Sequence, residues 1–203
     1  MIFKRVFTIS FILFASFFMS TTSRAFGQVL AVNDGGMMQN VCIRQERFRE
    51  NSVLVCRPML VDASILNFIT QNRISTVEDY AKWVSKNIIY TKDKVGDEWS
   101  SPVETLNRKY GDCEDFAFLH ESILRVMGYQ PKVLAAGTGG RNHAICVFMV
   151  EGRYMWLDNG NLKTTPASSF IGFATFILQN YRCSYLAELN FNQKKQTLLF
   201  RAR

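Results

Sequence analysis

The chain has 203 residues, 48% of them hydrophobic and 20% charged, an ordinary globular composition with enough length for one domain and its own core. Its formal net charge is +7, but Lys4, Arg5 and Arg24 fall in the first 25 residues, which carry no acid, so the remainder holds +4. That surplus is too small and too scattered to make a nucleic-acid-binding face.

Residues 1–25 read as a secretory signal peptide. Lys4 and Arg5 precede an apolar run from Val6 to Met19, and Ser23-Arg24-Ala25 supplies a small-x-small cleavage site. The run is shorter than the ~20 residues of a membrane span. The mature chain is therefore expected to be exported, periplasmic or secreted, with no stable membrane span once the signal is removed. Export decides how the five cysteines are read, because an odd number in an oxidising compartment leaves at least one thiol without an internal partner. Cys42 and Cys56 flank a polar stretch and suit a local disulfide. Cys146 sits in an apolar run and suits the core, and Cys183 either pairs with it or stays reduced. No Cys/His spacing suits a structural zinc.

Residues 26–75 are expected to form an irregular N-terminal arm and a first helix. The arm carries a turn at Asn33-Asp34-Gly35-Gly36 and a short strand near Ser52–Cys56, and the helix covers about 62–72. Thr76-Val77-Glu78-Asp79 opens a second helix with a capping box, and Val77, Tyr80, Ala81, Val84 and Ile88 make its apolar stripe. A polar loop over 91–100 ends at Ser101-Pro102-Val103-Glu104, an N-cap serine followed by proline at the first helical position. A central helix runs from about Cys113 to Met127 and stops at Gly128. Three strands follow, Lys132–Gly137, His143–Val150 and Tyr154–Asp158, the last two joined by a tight turn at Glu151-Gly152-Arg153. A loop, a helix near 168–181 and a last strand complete the chain. Helices first and antiparallel strands after them give an α+β domain, with 76–170 as the core and 171–203 as an extension packed on it.

The chemistry centres on Gly111-Asp112-Cys113-Glu114-Asp115. A cysteine at a helix N-terminus meets unpaired backbone N–H groups and the positive end of the helix dipole, which favour thiolate. A nucleophilic cysteine also needs a base and a group that orients it. Of the two histidines, His120 lies two turns along the same helix, ~10 Å away, which leaves His143 as the base. His143 opens one strand of a hairpin and Asp158 ends the other, so their side chains can meet at the open end of the pair. Cys113, His143 and Asp158 are thus the candidate catalytic set, with the Cys113 backbone N–H and the Trp99 indole as candidate oxyanion donors. Acids in a first helical turn also have a purely structural use as dipole partners.

Trp99-Ser100-Ser101-Pro102-Val103-Glu104, Gly111-Asp112-Cys113-Glu114-Asp115-Phe116-Ala117, His143 and Leu157-Asp158-Asn159 together resemble the transglutaminase-like superfamily, papain-related in fold. Within it they look most like bacterial transglutaminase-like cysteine peptidases of the LapG type, periplasmic proteases that clip cell-surface adhesins. The resemblance implies a papain-like core with the nucleophile at the start of a central helix packed on an antiparallel sheet. It implies Cys113 as nucleophile, His143 as base and Asp158 as third member, hydrolysing a peptide or amide bond of a protein substrate through a thioester. The chemistry itself calls for no cofactor, and the resemblance adds calcium binding by Asp112 and Glu114. Two rival readings stay open at this stage: acyl transfer, in which an amine replaces water, and a non-catalytic binding domain of the same fold.

Overall fold

The computed structural model describes residues 30–32, 39–47, 51–59, 62–94, 96, 98–138 and 141–202. Residues 1–25, expected from the sequence to be a signal peptide, and the expected turn at Asn33-Asp34-Gly35-Gly36 lie outside the described residues. Strands β1 (Leu30–Val32), β2 (Gln39–Arg47) and β3 (Asn51–Met59) form a three-stranded antiparallel sheet in that order. The arm is therefore regular where the sequence suggested irregularity. Val41 and Ile43, and Val53 and Val55, do alternate with other residues at the two-residue period of a strand, but charged neighbours dilute the pattern.

Helix α1 (Ala63–Gln71) is capped by Asp62, whose carboxylate accepts from the Ser64 N–H at 2.8 Å. Helix α2 (Val77–Asn87) begins with the expected box: Thr76 accepts from the Asp79 N–H and Asp79 from the Thr76 N–H. Strand β4 (Ile89–Tyr90) leads through the loop to α3 (Pro102–Arg108), boxed by Ser101 and Glu104. Strand β5 (Tyr110–Gly111) pairs in parallel with β4 and delivers the chain into α4 (Cys113–Val126). Helix α4 is the centre of the domain, with Phe116, Ala117, Phe118, Leu119, His120, Ile123 and Leu124 all buried.

Strands β6 (Lys132–Thr138), β7 (Arg141–Val150), β8 (Arg153–Asp158) and β9 (Asn161–Thr164) follow, then α5 (Phe170–Asn180), β10 (Tyr185–Asn190) and β11 (Lys195–Arg201). They build a six-stranded antiparallel sheet in the order β11-β10-β6-β7-β8-β9. Strand β9 occupies a stretch the sequence reading left as loop. Both faces of the sheet are covered, which is why β6 and β7 read as continuous apolar runs rather than alternating ones. Val133, Ala135, Ala144, Cys146, Phe148 and Leu157 face α4. Leu134, Ala136, Ile145, Val147 and Trp156 face α5 through Phe173, Ala174 and Ile177. Cys146 and Cys183 belong to the clusters on opposite faces, so they do not pair, and Cys113, Cys146 and Cys183 are all free thiols. Among the described residues no helix is long and apolar enough to cross a membrane.

Candidate active site

Gly111 is where the setting of Cys113 begins. A Cβ there would stand 2.7 Å from Cβ and Oδ2 of Asp115, so only glycine lets the chain pass that close to the first turn of α4. Asp115 is fully buried and ties three segments together: it pairs with the Arg108 guanidinium, accepts from the Ser100 N–H at 2.8 Å, and accepts from the Asp112 N–H at 3.4 Å. Arg108 also donates to the Tyr110 carbonyl at 2.8 Å. This clamp fixes the Trp99–Ser100 loop, the end of α3 and the start of α4 as one piece, with Cys113 as its first helical residue.

The Cys113 thiol is buried and donates to Glu114 Oε2 at 2.9 Å. Burial first, and then that hydrogen bond and the charges of Glu114 and Asp112, push its pKa up from 9.0 to about 12, against an opposing bond from the Ala144 N–H. Desolvation and an adjacent carboxylate therefore oppose the thiolate that the helix N-terminus favours. The Asp112 and Glu114 carboxyls lie close together. Burial, followed by the charge and bond of Glu114, lifts Asp112 from 3.8 to about 7, with Asp115 and Asp93 adding to it.

His143 and Asp158 do meet. His143 Nε2 lies 2.7 Å from Asp158 Oδ1, and the second carboxylate oxygen accepts from Lys163 Nζ at 2.6 Å. Burial of Asp158 would raise its pKa, but the bonds from His143 and Lys163 prevail and hold it at about 2, fully ionised. The register explains the meeting: Val150 pairs with Arg153 and Cys146 with Leu157, so Asp158 falls one diagonal step from His143 on the same face. Cys113 reaches the same strand from the α4 side, through the Ala144 N–H next to His143. The structure thus joins His143 to Asp158 and sets the Cys113 thiol against the neighbouring backbone, with Sγ on Glu114 rather than on the imidazole among the described residues.

Trp99 packs on Phe118, with ring centroids 5.0 Å apart, and lies under Lys194, whose Nζ donates to its carbonyl at 3.1 Å. It borders an open surface pocket of about 670 Å³ with Glu98, Ser100, Glu104, Asn107 and Arg108, a pocket that Cys113 does not line. His120 is fully buried and bonded on both nitrogens, to Tyr80 and to the Asn159 carbonyl. Sequence reasoning missed Lys163. Its signal was the alternation of Asn161, Leu162 and Lys163 after a tight turn, which returns Lys163 to the face that carries Asp158. It also missed the Glu114–thiol contact, which no spacing rule announces.

A family model described as a transglutaminase-like domain matches residues 63–184, more than half of the chain. The chain belongs to the transglutaminase-like domain family. The match runs from the start of α1 to just beyond α5 and includes Cys113, His143, Asp158 and Lys163. UPF0252 protein MJ1282 of Methanocaldococcus jannaschii is 29% identical over 104 residues, covering 43% of this chain and 30% of that protein. The chain thus spans under a third of the length of this curated relative. Among solved structures, Legionella pneumophila LapG is similar in its EGTA-treated form, at 24% identity and a TM-score of 0.40, covering 50% of this chain and 63% of that one. Its calcium-bound form is similar at 20% identity and a TM-score of 0.44, covering 69% and 79%. What can be said of the chemistry of this transglutaminase-like domain therefore comes from its own residues.

Proposed function

We propose that this chain is an exported cysteine peptidase of the transglutaminase-like type, acting on a protein or peptide substrate at the cell surface. The observation that carries the reading is the 2.7 Å bond between His143 and an ionised Asp158, beside a helix N-terminus that bears a free cysteine. In the proposed reaction Cys113 passes its proton to His143 as Sγ attacks the substrate carbonyl carbon. The C–N bond breaks as His143 returns that proton to the leaving amine. Water, deprotonated by His143, then displaces Sγ from the thioester and regenerates the thiol. Asp158 keeps its charge throughout and orients the ring. The Cys113 N–H is the oxyanion donor at hand. The Trp99 indole, packed on Phe118, is the second candidate donor.

Calcium belongs to this proposal at Asp112 and Glu114. Their oxygens suit a hard cation, and their side chains abut in a buried setting that raises Asp112. Among the described residues no group of three or more His, Cys, Asp or Glu side chains converges as a cage, so this pair would supply only part of the shell. When bound, the ion would neutralise two crowded carboxylates. A calcium-dependent rise in melting temperature that Asp112→Asn abolishes is the expected outcome.

A specific observation favours a second reading, the non-catalytic binding domain: the thiol is held protonated on Glu114. One experiment separates the readings. Wild type, Cys113→Ala and His143→Ala are incubated with unfolded casein and with bacterial surface proteins, with and without a fluorescent primary amine, and new N-termini are mapped. Cleavage by wild type alone is expected. Equal cleavage by Cys113→Ala overturns the proposal, amine incorporation without cleavage makes the protein an acyl transferase, and neither reaction makes it a binding domain.

A further inference from the structure

Helix α4 carries Cys113 at its first turn and His120 two turns on, and His120 has no part in the proposed reaction. Both of its ring nitrogens are nevertheless engaged. Nε2 lies 2.7 Å from the carbonyl oxygen of Asn159, and Nδ1 lies 2.8 Å from the hydroxyl of Tyr80 on α2. A carbonyl can only accept, so Nε2 carries the hydrogen and Nδ1 accepts from Tyr80. Burial keeps the ring neutral, lowering its pKa to about 4 against the pull of the Asn159 carbonyl and the Asp158 charge.

What His120 holds is the residue directly after Asp158. Asn159 turns the corner between β8 and β9 with φ 50°, and its own buried Oδ1 has no hydrogen-bond partner among the described residues. The corner is thus tied to the helical layer through its backbone carbonyl. Gly160, next in the chain, seats on α2: a Cβ there would stand 2.9 Å from the Ser85 Cα. Helix α2, helix α4 and the Asp158 corner therefore meet at one point, and α4 itself spans the ~10 Å from that point to the nucleophile.

We propose that the Tyr80–His120 pair is a positioning device for Asp158: by clamping the Asn159 carbonyl it sets the carboxylate, and through it the His143 ring, at a fixed distance from the helix end that carries Cys113. This rests on the Cys113–His143–Asp158 reading above. A histidine that only stabilised the fold would act independently of Asp158, whereas a positioning residue acts through it.

The test measures the rate at which iodoacetamide alkylates Cys113 in the full chain, by peptide mass mapping from pH 5 to 9, with melting temperature as the check on folding. Tyr80→Phe and His120→Leu are expected to slow alkylation at pH 7 about 10-fold and to displace the pH profile. His120→Gln, which keeps one donor and one acceptor, is expected to restore the rate to within about 3-fold. In an Asp158→Asn background the further loss from Tyr80→Phe is expected to shrink below about 2-fold. A loss of undiminished size in that background, or an unchanged rate in folded Tyr80→Phe, overturns the proposal. If His120→Leu does not fold, Tyr80→Phe, which removes a single hydroxyl, decides alone. If His143→Ala leaves wild-type labelling unchanged, the triad reading itself has failed, and the clamp fails with it.

Discussion

Only two histidines occur in the chain, so the fall in stability between neutral and mildly acidic pH can be assigned to particular side chains. His120 is fully buried with its pKa lowered from 6.5 to about 4. A group depressed on folding contributes stability above its unfolded value, and that stability is lost as pH falls toward the folded value. The window is therefore about pH 6.5 down to 4. At about 1.4 kcal/mol per pH unit the loss is roughly 3 kcal/mol. Asp112 acts in the opposite sense over much of the same window. Its pKa is raised from 3.8 to about 7, so its contribution is present at low pH and disappears as pH rises toward neutrality. Wild type alone would show a partly cancelled slope, and the difference between wild type and His120→Gln isolates the histidine. Urea unfolding at half-unit steps from pH 4 to 7 reads this difference as a shift in midpoint at constant m. Wild type should gain roughly 3 kcal/mol on the variant as pH rises through the window. A flat difference would refute the assignment of a neutral, doubly bonded His120.

Three further outcomes follow from separate features. Lys163→Met removes one of the two side chains bonded to the Asp158 carboxylate, so the Asp158 carboxyl should titrate closer to its ordinary 3.8 than to about 2 in a carbon-13 NMR titration; the stability that it loses as pH falls should then be lost at higher pH. Asp115→Asn leaves Arg108, whose side chain is 30% exposed, beside a neutral group, which should cost about 2 kcal/mol and lower the calorimetric melting point by about 4–8 °C, whereas a drop below ~2 °C would show that the clamp adds little. Cys42 and Cys56 are register partners across β2 and β3, close enough in backbone for a bridge, and non-reducing peptide mapping of exported protein should recover them linked.

The helical half of the fold was legible because its ends are chemically marked. The boxes at Thr76–Asp79 and Ser101–Glu104 each fix an N-terminus, and Pro102 and Gly128 confirm a start and a stop. The β6–β8 meander was legible from the change of period after Gly128 and from the Glu151-Gly152 turn, which set the register that brings Asp158 to His143. What escaped was short or diluted. Strands β4 and β5 are two residues each and have no period to read. Strand β9 has four residues, with Leu162 its one strongly apolar side chain. The Tyr80–His120–Asn159 bonds join residues 39 and 40 apart in sequence, and nothing local in the chain announces them.

The state of the Cys113 thiol shows most clearly where sequence and structure part. Two influences act on Cys113: a helix N-terminus that favours thiolate, and burial with flanking acids that opposes it. Their order of magnitude decides between them. The helix end contributes about 0.3–1 kcal/mol toward the thiolate. A rise from 9.0 to about 12 corresponds to roughly 4 kcal/mol in the other direction, and burial and a carboxylate at 2.9 Å supply it. Adjacency in sequence could not reveal that Glu114 folds back onto the sulfur rather than pointing into solvent. Removing that charge should therefore release the thiol. Glu114→Gln should alkylate faster than wild type at Cys113 with iodoacetamide at pH 8, by about 10-fold for each pH unit that the thiol descends. A rate equal to or below that of wild type would mean that burial alone holds the thiol protonated and that the Glu114 contact does not restrain it.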